Sequence, residues 1–502
     1  MDGEKMKIDY IIVQAGGKGT RLEHLTKNKP KALLPVENLP MIFHLFRKYP
    51  EKKFVVIGDY KKEVLRRYLK AFANVNYIMT EAEGTGTCAG ISKALSMIPE
   101  NEAFMLIWSD LILPESFELP KEDGNYIGVS QTFPCRWSYE NGILAEKPST
   151  ENGVAGMFVF QNKAVISDVD NSGEFVRYLS GKQIDFGICG LAGTREFGLI
   201  SEYEKLNEVK CRPFNKITEA NGRLIKEAID DQGKKLAEDE KNWYRYTKSA
   251  KVCALPEIYN MDPLEMEKIN GRNVYEYTDL TEAERLSVLT KIINSLKELH
   301  DIGKQPCDMF SVWEAYASKT FKRLEKVRAL VPFANEKYIT INGRKCRNVF
   351  FCEDELERRL LDYKCKEFSF IHGDCTFSNI LLRNDTEPVF IDPRGYFGKT
   401  KLFGDPAYDW AKLYYSVAGN YDQFNLKRFV LDIADDSISL AIKSSGWESL
   451  EEDFFKLTDT NKDDIKLLHA IIWLSLTTYA WQDYDSVCGS FYNGIYYLEE
   501  VL

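Results

Sequence analysis

Ile8-Asp9-Tyr10-Ile11-Ile12-Val13 leads through Gln14 and Ala15 into Gly16-Gly17-Lys18-Gly19-Thr20-Arg21, and Lys29-Pro30-Lys31-Ala32-Leu33-Leu34-Pro35 follows. An apolar run of strand length that empties into a glycine turn reads as the first strand of an α/β unit. Working outward, further apolar runs at 54–57, 75–79 and 103–108 alternate with helix-like segments at 41–48, 61–72 and 88–97. Alternation of this kind predicts a parallel sheet with crossover helices. Ligands of such sheets bind at the carboxyl ends of the strands, and 16–21 lies at the end of the first.

Ala15, Gly16, Gly17, Gly19 and Thr20 are therefore candidate nucleotide-binding positions, because glycines let backbone N–H groups approach phosphate oxygens. A glycine turn by itself serves chain reversal equally well; the neighbourhood favours phosphate. Arg21 adds a fixed charge, and Lys31, ten residues on between two prolines, can meet the same triphosphate. Gly84 and Thr85 end the third strand-like run, where they can present backbone to a base. Asp110 follows the fourth run, where a carboxylate suits Mg2+ or caps a turn.

Residues 8–160 resemble the sugar-phosphate nucleotidyltransferase family. Its pattern G-G-x-G-T-R-L, K-P-K-x-L-L-P-V, G-T, G-D and E-K-P is met in order by 16–22, 29–36, Gly84-Thr85, Ser109-Asp110 and Glu146-Lys147-Pro148. The resemblance implies that Arg21 and Lys31 hold the NTP phosphates, Asp110 the metal, and Glu146 with Lys147 the phosphorylated substrate. It also implies in-line attack of a phosphate oxygen on the α-phosphorus with release of pyrophosphate. One departure matters. The family's second metal-binding Asp is replaced at its expected position by Leu191, which leaves Asp185 as a substitute.

Downstream, Asn221-Gly222 is a hairpin signal that places Lys226 on a strand, and the helix-like 234–246 contains Glu240. A strand Lys with a helix Glu is the ion pair with which kinases hold ATP phosphates. Thr281-Glu282-Ala283-Glu284 reads as a capping box, and the apolar stripe from Leu286 to Leu299 as a core face. In His372-Gly373-Asp374-Cys375-Thr376-Phe377-Ser378-Asn379 a carboxylate and an amide stand five residues apart, the spacing of the kinase catalytic loop. Asp374 can accept or orient a hydroxyl proton, Asn379 can ligate Mg2+, and a strand pair at 380–382 and 389–391 delivers Asp392 as the second metal ligand. Residues 205–425 accordingly resemble the aminoglycoside phosphotransferase and choline kinase superfamily. His372 and Asp409 read as structural. Arg394 either binds phosphate or buttresses its loop. The stretch 210–215, where a phosphate-covering loop would lie, has no glycine. Aromatics from Trp473 to Tyr497 read mainly as core, with a quaternary-ammonium cage as the other option. Asp483 and Asp485 are carboxylates available to an amine or sugar hydroxyls. The Lys-, Arg- and Glu-rich 303–365 reads as exposed helix and is assigned no chemistry.

Together the resemblances imply an N-terminal Rossmann-like α/β nucleotidyltransferase domain over 1–203, followed by a bilobal protein-kinase-like α+β domain over 204–502. Its small lobe is expected at 204–272 and its large lobe at 273–502. The implied activity is bifunctional: ATP phosphorylates a small sugar, polyol or amino alcohol, then CTP or UTP is coupled to the product, giving a precursor for bacterial surface polysaccharide. The alternative keeps only the kinase active, with the first domain a nucleotide-sensing or scaffolding module. The chain has 502 residues, 44% hydrophobic and 28% charged, with a net charge of −10, which suits a soluble multidomain protein and argues against nucleic acid as partner. No apolar run reaches membrane-spanning length, so no membrane insertion is expected. The eleven cysteines show no C-x-x-C pair, and cytoplasm is the expected compartment. Small molecules and Mg2+ are the expected partners, and homo-oligomer formation is left open.

Overall fold

Ile8–Gln14 forms strand β1, and Ile11, Ile12 and Val13 are wholly buried. Burial of consecutive residues means both faces are covered, as in the centre of a parallel sheet. The structure, a computed structural model, describes residues 6–200, 203, 215–229, 231–248, 250 and 252–502. The chain divides into two units, Met1–Val209 with Gln482–Asp485, and Lys210–Trp481 with Ser486–Leu502. The junction expected between 203 and 204 and the stretch 210–214 lie outside the described residues, Tyr203 apart.

In the first unit β1 is flanked in parallel by β2 (Lys53–Gly58) and, beyond it, β3 (Asn76–Glu81). On its other side lies β4 (Ala103–Trp108), also parallel. Beyond β4 the pairing is antiparallel except at the last strand, which joins in parallel. Strands β5 (Asn125–Ser130), β6 (Ser138–Glu140), β7 (Ile143–Ala145), β8 (Gly153–Phe160) and β9 (Phe186–Gly190) complete nine strands. Their order is β7-β6-β8-β4-β1-β2-β3, with β5 on β8 and β9 on β5. Helices α1 (Met41–Lys48) and α2 (Lys62–Phe72) match expectation; α3 (Ile91–Leu95) is shorter than 88–97 because Gly90 at its start has φ +79°. Alternation along β2 divides its side chains between two layers. Phe54 meets Phe46 of α1, whose Phe43 meets Tyr68 of α2, whereas Val55 and Ile57 join Ile91 and Leu95 of α3 in the other layer. Each fully buried aromatic or large aliphatic side chain contributes about 1.5–3 kcal/mol.

The second unit opens with the Asn-Gly hairpin, β10 (Asn215–Ala220) and β11 (Arg223–Ala228), in register from Asn215 opposite Ala228 to Ala220 opposite Arg223. Asn221 and Gly222 take φ +52° and +72°, the left-handed pair that suits the twist of a two-residue hairpin. Strands β12 (Ile258–Met261) and β13 (Leu264–Glu267) extend this sheet, and helix α4 (Asp231–Thr247) carries Glu240. A mainly helical part follows. Its first long helix, α5 (Glu282–His300), starts at the expected capping box, with Leu289, Ile292, Ile293, Leu296 and Leu299 wholly buried. Helices α6 (Lys319–Val327), α7 (Pro406–Val417) and α8 (Lys462–Leu476) complete what the site requires. Residues 303–365 are not uniform helix: they include the hairpin Tyr338–Ile341 with Arg344–Arg347. Among the described residues no helix is long and apolar enough to cross a membrane.

Asp409, in the first turn of α7, is wholly buried and holds the 372–379 loop. Its Oδ2 accepts from His372 N at 2.8 Å and lies 3.1 Å from His300 Nε2; its Oδ1 accepts from Gly373 N at 2.7 Å. Burial alone would raise the Asp409 carboxyl, but His300 and the His372 N–H bring it below its ordinary value. Replacing Asp409 with Ala leaves buried donors without an acceptor. Urea melts should show a loss of roughly 3–5 kcal/mol, with Asp409→Asn losing less because one carbonyl oxygen remains. A change in Asp409→Ala within about 0.5 kcal/mol, the range of ordinary surface substitutions, would remove this carboxylate from the account of the loop.

Candidate functional site

In the first unit the expected phosphate residues meet where β1 and β4 end. Gly16–Gly19 follows β1, with Ala15 N bonded to Ile57 O at 2.9 Å and Gly17 exposed. Gly19 has φ +65° and begins the helical turn Thr20–Thr26, which leaves Thr20 and Arg21 exposed. Lys31 Nζ forms an ion pair with Asp110 Oδ2, so a residue from the proline-bracketed segment reaches the carboxylate that follows β4. Gln14 Nε2 donates to Thr87 O at 2.7 Å and ties the end of β1 to the 84–87 turn. Within that turn Thr85 N donates to Asn171 O and Thr85 O accepts from Gly173 N, so Gly84 and Thr85 are exposed but already joined to 171–173.

The second carboxylate of this site is Glu196. A two-residue ribbon pairs Glu196 with Leu111, and Phe197 N donates to Asp110 O at 3.2 Å. Burial raises the Glu196 carboxyl and neighbouring Asp110 raises it further, while Lys31 and Arg21 pull it down. Arg21, Lys31, Asp110 and Glu196 thus share one cluster. Asp185 does not join it. Gly187 is level with Tyr126, Tyr126 with Val159 and Val159 with Met105, so Asp185 is level with the start of β4, across β5 and β8, while Asp110 follows its end. Leu191 is wholly buried. No sequence signal marked Glu196, because a two-residue ribbon carries no periodicity.

Glu146 and Lys147 follow the edge strand β7 and are exposed, separated from β4 in the sheet by β6 and β8. The Glu146 carboxylate accepts from Arg136 Nε at 2.9 Å and from Arg177 Nη2 at 2.7 Å, and these guanidiniums lower it below its ordinary range. Arg177 lies 5.9 Å over the Trp137 ring, and Trp137 Nε1 donates to Glu174 at 2.7 Å. Asp483 and Asp485, which belong to the first unit, are engaged by the buried Lys29 at 2.6 and 2.7 Å. That ion pair, rather than a bound amine, is the role of these two carboxylates.

In the second unit Lys226 Nζ on β11 bonds both oxygens of Glu240 on α4, at 2.9 and 2.7 Å, and Asp392 Oδ1 at 2.6 Å. Burial opposes the Lys226 charge, yet Asp392 and Glu240 hold its ammonium above the ordinary value. Asn379 Nδ2 donates to Asp374 O at 2.7 Å and to Asp374 Oδ2 at 3.1 Å. The hairpin Ile380–Arg383 with Glu387–Phe390 then carries the chain to Asp392, whose φ is +56°. All five expected residues of this loop and ion pair are therefore gathered. His372, wholly buried, accepts from Asp374 N at Nδ1 and donates from Nε2 to Ile391 O at 3.0 Å, which requires the neutral Nε2–H ring. Burial lowers its pKa in agreement. Trp473, Tyr484, Phe491 and Tyr492 are core, as expected, and Tyr479 is exposed.

Asp110 with Glu196, and Asn379 with Asp392, offer oxygen donors suited to a hard divalent cation. Among the described residues no group of three or more His, Cys, Asp and Glu side chains gathers as a metal cage. The remaining ligands of an ion at either place would be phosphate oxygens and water, the usual manner of Mg2+.

Comparison with known proteins finds two family segments in the chain. Residues 10–119 match the family described as nucleotidyl transferase, and residues 218–437 the phosphotransferase enzyme family. The bifunctional protein GlmU of Methanococcus maripaludis is 32% identical over 171 residues, covering 31% of this chain and 40% of that protein. The D-glycero-alpha-D-manno-heptose 1-phosphate guanylyltransferase of Campylobacter jejuni is 33% identical over 100 residues, covering 19% and 45%. The chain thus spans less than half the length of these two curated relatives. A solved CTP:phosphocholine cytidylyltransferase from Streptococcus pneumoniae aligns at 22% identity and a TM-score of 0.33, over 40% of this chain and 99% of that one. This chain joins a nucleotidyl transferase family segment to a segment of the phosphotransferase enzyme family.

Proposed function

We propose that the chain is a bifunctional enzyme. Its second unit transfers the γ-phosphoryl group of ATP to a hydroxyl of a small sugar, polyol or amino alcohol. Its first unit couples the resulting phosphomonoester to a nucleotide from CTP or UTP, giving an NDP-activated precursor for bacterial surface polysaccharide. The observation that carries this reading is that each unit gathers its own lysine-balanced carboxylates, Lys31 with Asp110 and Lys226 with Asp392.

In the kinase step the acceptor oxygen attacks the γ-phosphorus in line. The bond from that phosphorus to the β–γ bridging oxygen breaks, ADP leaves, and the hydroxyl proton passes to the Asp374 carboxylate. Lys226, fixed by Glu240, faces the ATP phosphates. In the transfer step an oxygen of the phosphomonoester attacks the α-phosphorus of the NTP, and the bond to the α–β bridging oxygen breaks to release pyrophosphate. Arg21 and Lys31 neutralise the charge on the triphosphate, and the backbone of 15–20 cradles it. Lys147, with Glu146 and the arginines that grip it, positions the phosphomonoester. Asp110 and Glu196 in one unit, and Asn379 and Asp392 in the other, would hold Mg2+, which would screen phosphate charge when bound. Glu196 takes the part of the second carboxylate that Leu191 lacks, which favours turnover by the first unit over a purely nucleotide-sensing or scaffolding role.

Phosphorus NMR of the protein with ATP, each NTP, Mg2+ and a panel of alcohols and phosphomonoesters separates the two activities. Asp374→Asn should lower ATP-dependent phosphorylation on the order of 10²- to 10⁴-fold while sparing coupling of a supplied phosphomonoester. Asp110→Asn and Glu196→Gln should each reduce coupling by about 10²- to 10³-fold and spare the kinase. Loss of both reactions in any one of these folded variants would sink the two-site reading; full coupling activity in Glu196→Gln would remove Glu196 from it.

A further inference from the structure

Beside Asp374, on the side away from Asn379, the second unit assembles cations that the kinase step as written does not use. The two oxygens of Asp374 face different neighbours: Oδ2 receives Asn379 and Oδ1 pairs with Lys412 Nζ at 3.0 Å. Lys412 shares the Tyr408 ring with Arg394, which lies 5.9 Å from its centre and donates from Nη1 to the Tyr408 hydroxyl at 2.7 Å. Arg394 is pressed against the catalytic loop, since a Cβ added at Gly373 would lie 2.9 Å from Arg394 Cβ. Lys319 and Arg323, four residues apart, share one face of α6. Arg323 stacks 4.2 Å over Tyr479 and donates to Ser475 O at 2.8 Å.

The balance of charge here is one-sided. Among the described residues Lys319, Arg323 and Arg394 have no carboxylate within ion-pair distance, and Asp374 is already shared with Lys412. Burial, with Arg394, Arg323 and Lys412 nearby, pushes Lys319 well below its ordinary pKa. Desolvation of the Tyr479 hydroxyl, on a ring otherwise exposed, opposes its ionisation, yet the same three cations draw it below its ordinary value. Arg323 and Arg394 without an ion-paired carboxylate, beside a Lys319 whose charge burial disfavours, are costly to keep together in a part-buried place unless something anionic enters. Four tyrosine rings here already carry a cation of the protein itself: Arg394 lies over Tyr396 and Tyr408, Arg323 over Tyr479, and Lys412 over Tyr415.

We infer that the acceptor of the kinase unit is an alcohol bearing its own anionic group, a carboxylate or a phosphate ester, which Lys319, Arg323 and Arg394 hold while Asp374 takes the hydroxyl proton. The inference rests on the phosphotransfer reading of this unit and narrows its acceptor, leaving out amino alcohols. In the reaction the acceptor oxygen forms the new bond to the γ-phosphorus, ADP departs, and the acceptor's own anion is unchanged.

The test is ADP release by the full-length protein with ATP, Mg2+ and acceptors built on one short carbon frame: glycerol, glycerate, glycerol phosphate and 2-aminoethanol. Glycerate or glycerol phosphate should exceed glycerol in kcat/KM on the order of 10- to 100-fold, as for hydrogen bonds to charged groups, and which of the two does so identifies the anion. Lys319→Met and Arg323→Gln should each raise KM for that acceptor with KM for ATP unchanged, and the two together should abolish the preference. Greater turnover of glycerol or 2-aminoethanol overturns the inference and leaves the kinase reading standing. A rise in KM for ATP alone also overturns it, by giving these cations to the nucleotide. ADP release with none of the four overturns both.

Discussion

The second unit is organised around one buried carboxylate that accepts two successive backbone N–H groups. Asp409 receives His372 N and Gly373 N, and the chain can offer both donors in one direction because Gly373 takes φ +80°. An L side chain there would be strained and would also meet Arg394. The chain beyond Gly373 is thereby aimed outward. Asp374 is turned toward Asn379 and Lys412, His372 is kept neutral between Asp374 N and Ile391 O, and Ile391 N returns to Asn379 O at 3.0 Å. A loop tied at so many points needs little reorganisation to receive charge, which is the property that electrostatic catalysis requires.

The first unit reaches a comparable result by other means. Asp110 is delivered by a parallel strand and Glu196 by a two-residue ribbon beside it, and two such carboxylates repel. Lys31 and Arg21 offset that repulsion, and their positions depend on the turns at Gly19 and Pro30. In both units a lysine balances a carboxylate expected to meet a metal ion. Neither carboxylate is therefore left as an isolated buried charge, and the lysine is already beside the place where phosphate charge is expected.

Much of this was legible in the sequence wherever local chemistry decides local structure. The β1 run, the Asn221-Gly222 hairpin, the Thr281 capping box and the five-residue spacing from Asp374 to Asn379 each depend on near neighbours, and each is found as read. What was not legible depends on tertiary placement. The antiparallel β8 is apolar on both faces, so its period could not give its direction. Glu196 was missed because the ribbon that seats it is two residues long, and Asp185 fails because register puts it at the wrong end of the sheet. Lys319 and Arg323 carry no signal in sequence because cations four apart on a polar helix ordinarily make a solvated face; only the packing of α6 brings Lys319 near Asp374 and Arg323 over Tyr479.

That packing also changes the meaning of the aromatic residues. In sequence, tyrosines near a kinase-like loop suggest a cage for a cationic ligand, since a ring face attracts positive charge. A ring face can serve one cation well, and here the cations are the protein's own. Tyr408, Tyr415 and Tyr479 take up part of the charge of Arg394, Lys412 and Arg323 and hold these side chains in place. The rings soften the cost of crowding like charges but carry no formal charge, so Asp374 is the carboxylate that the cations share. Rings that could attract a cationic ligand are thus engaged with the protein's own cations, in a chain whose net charge is −10.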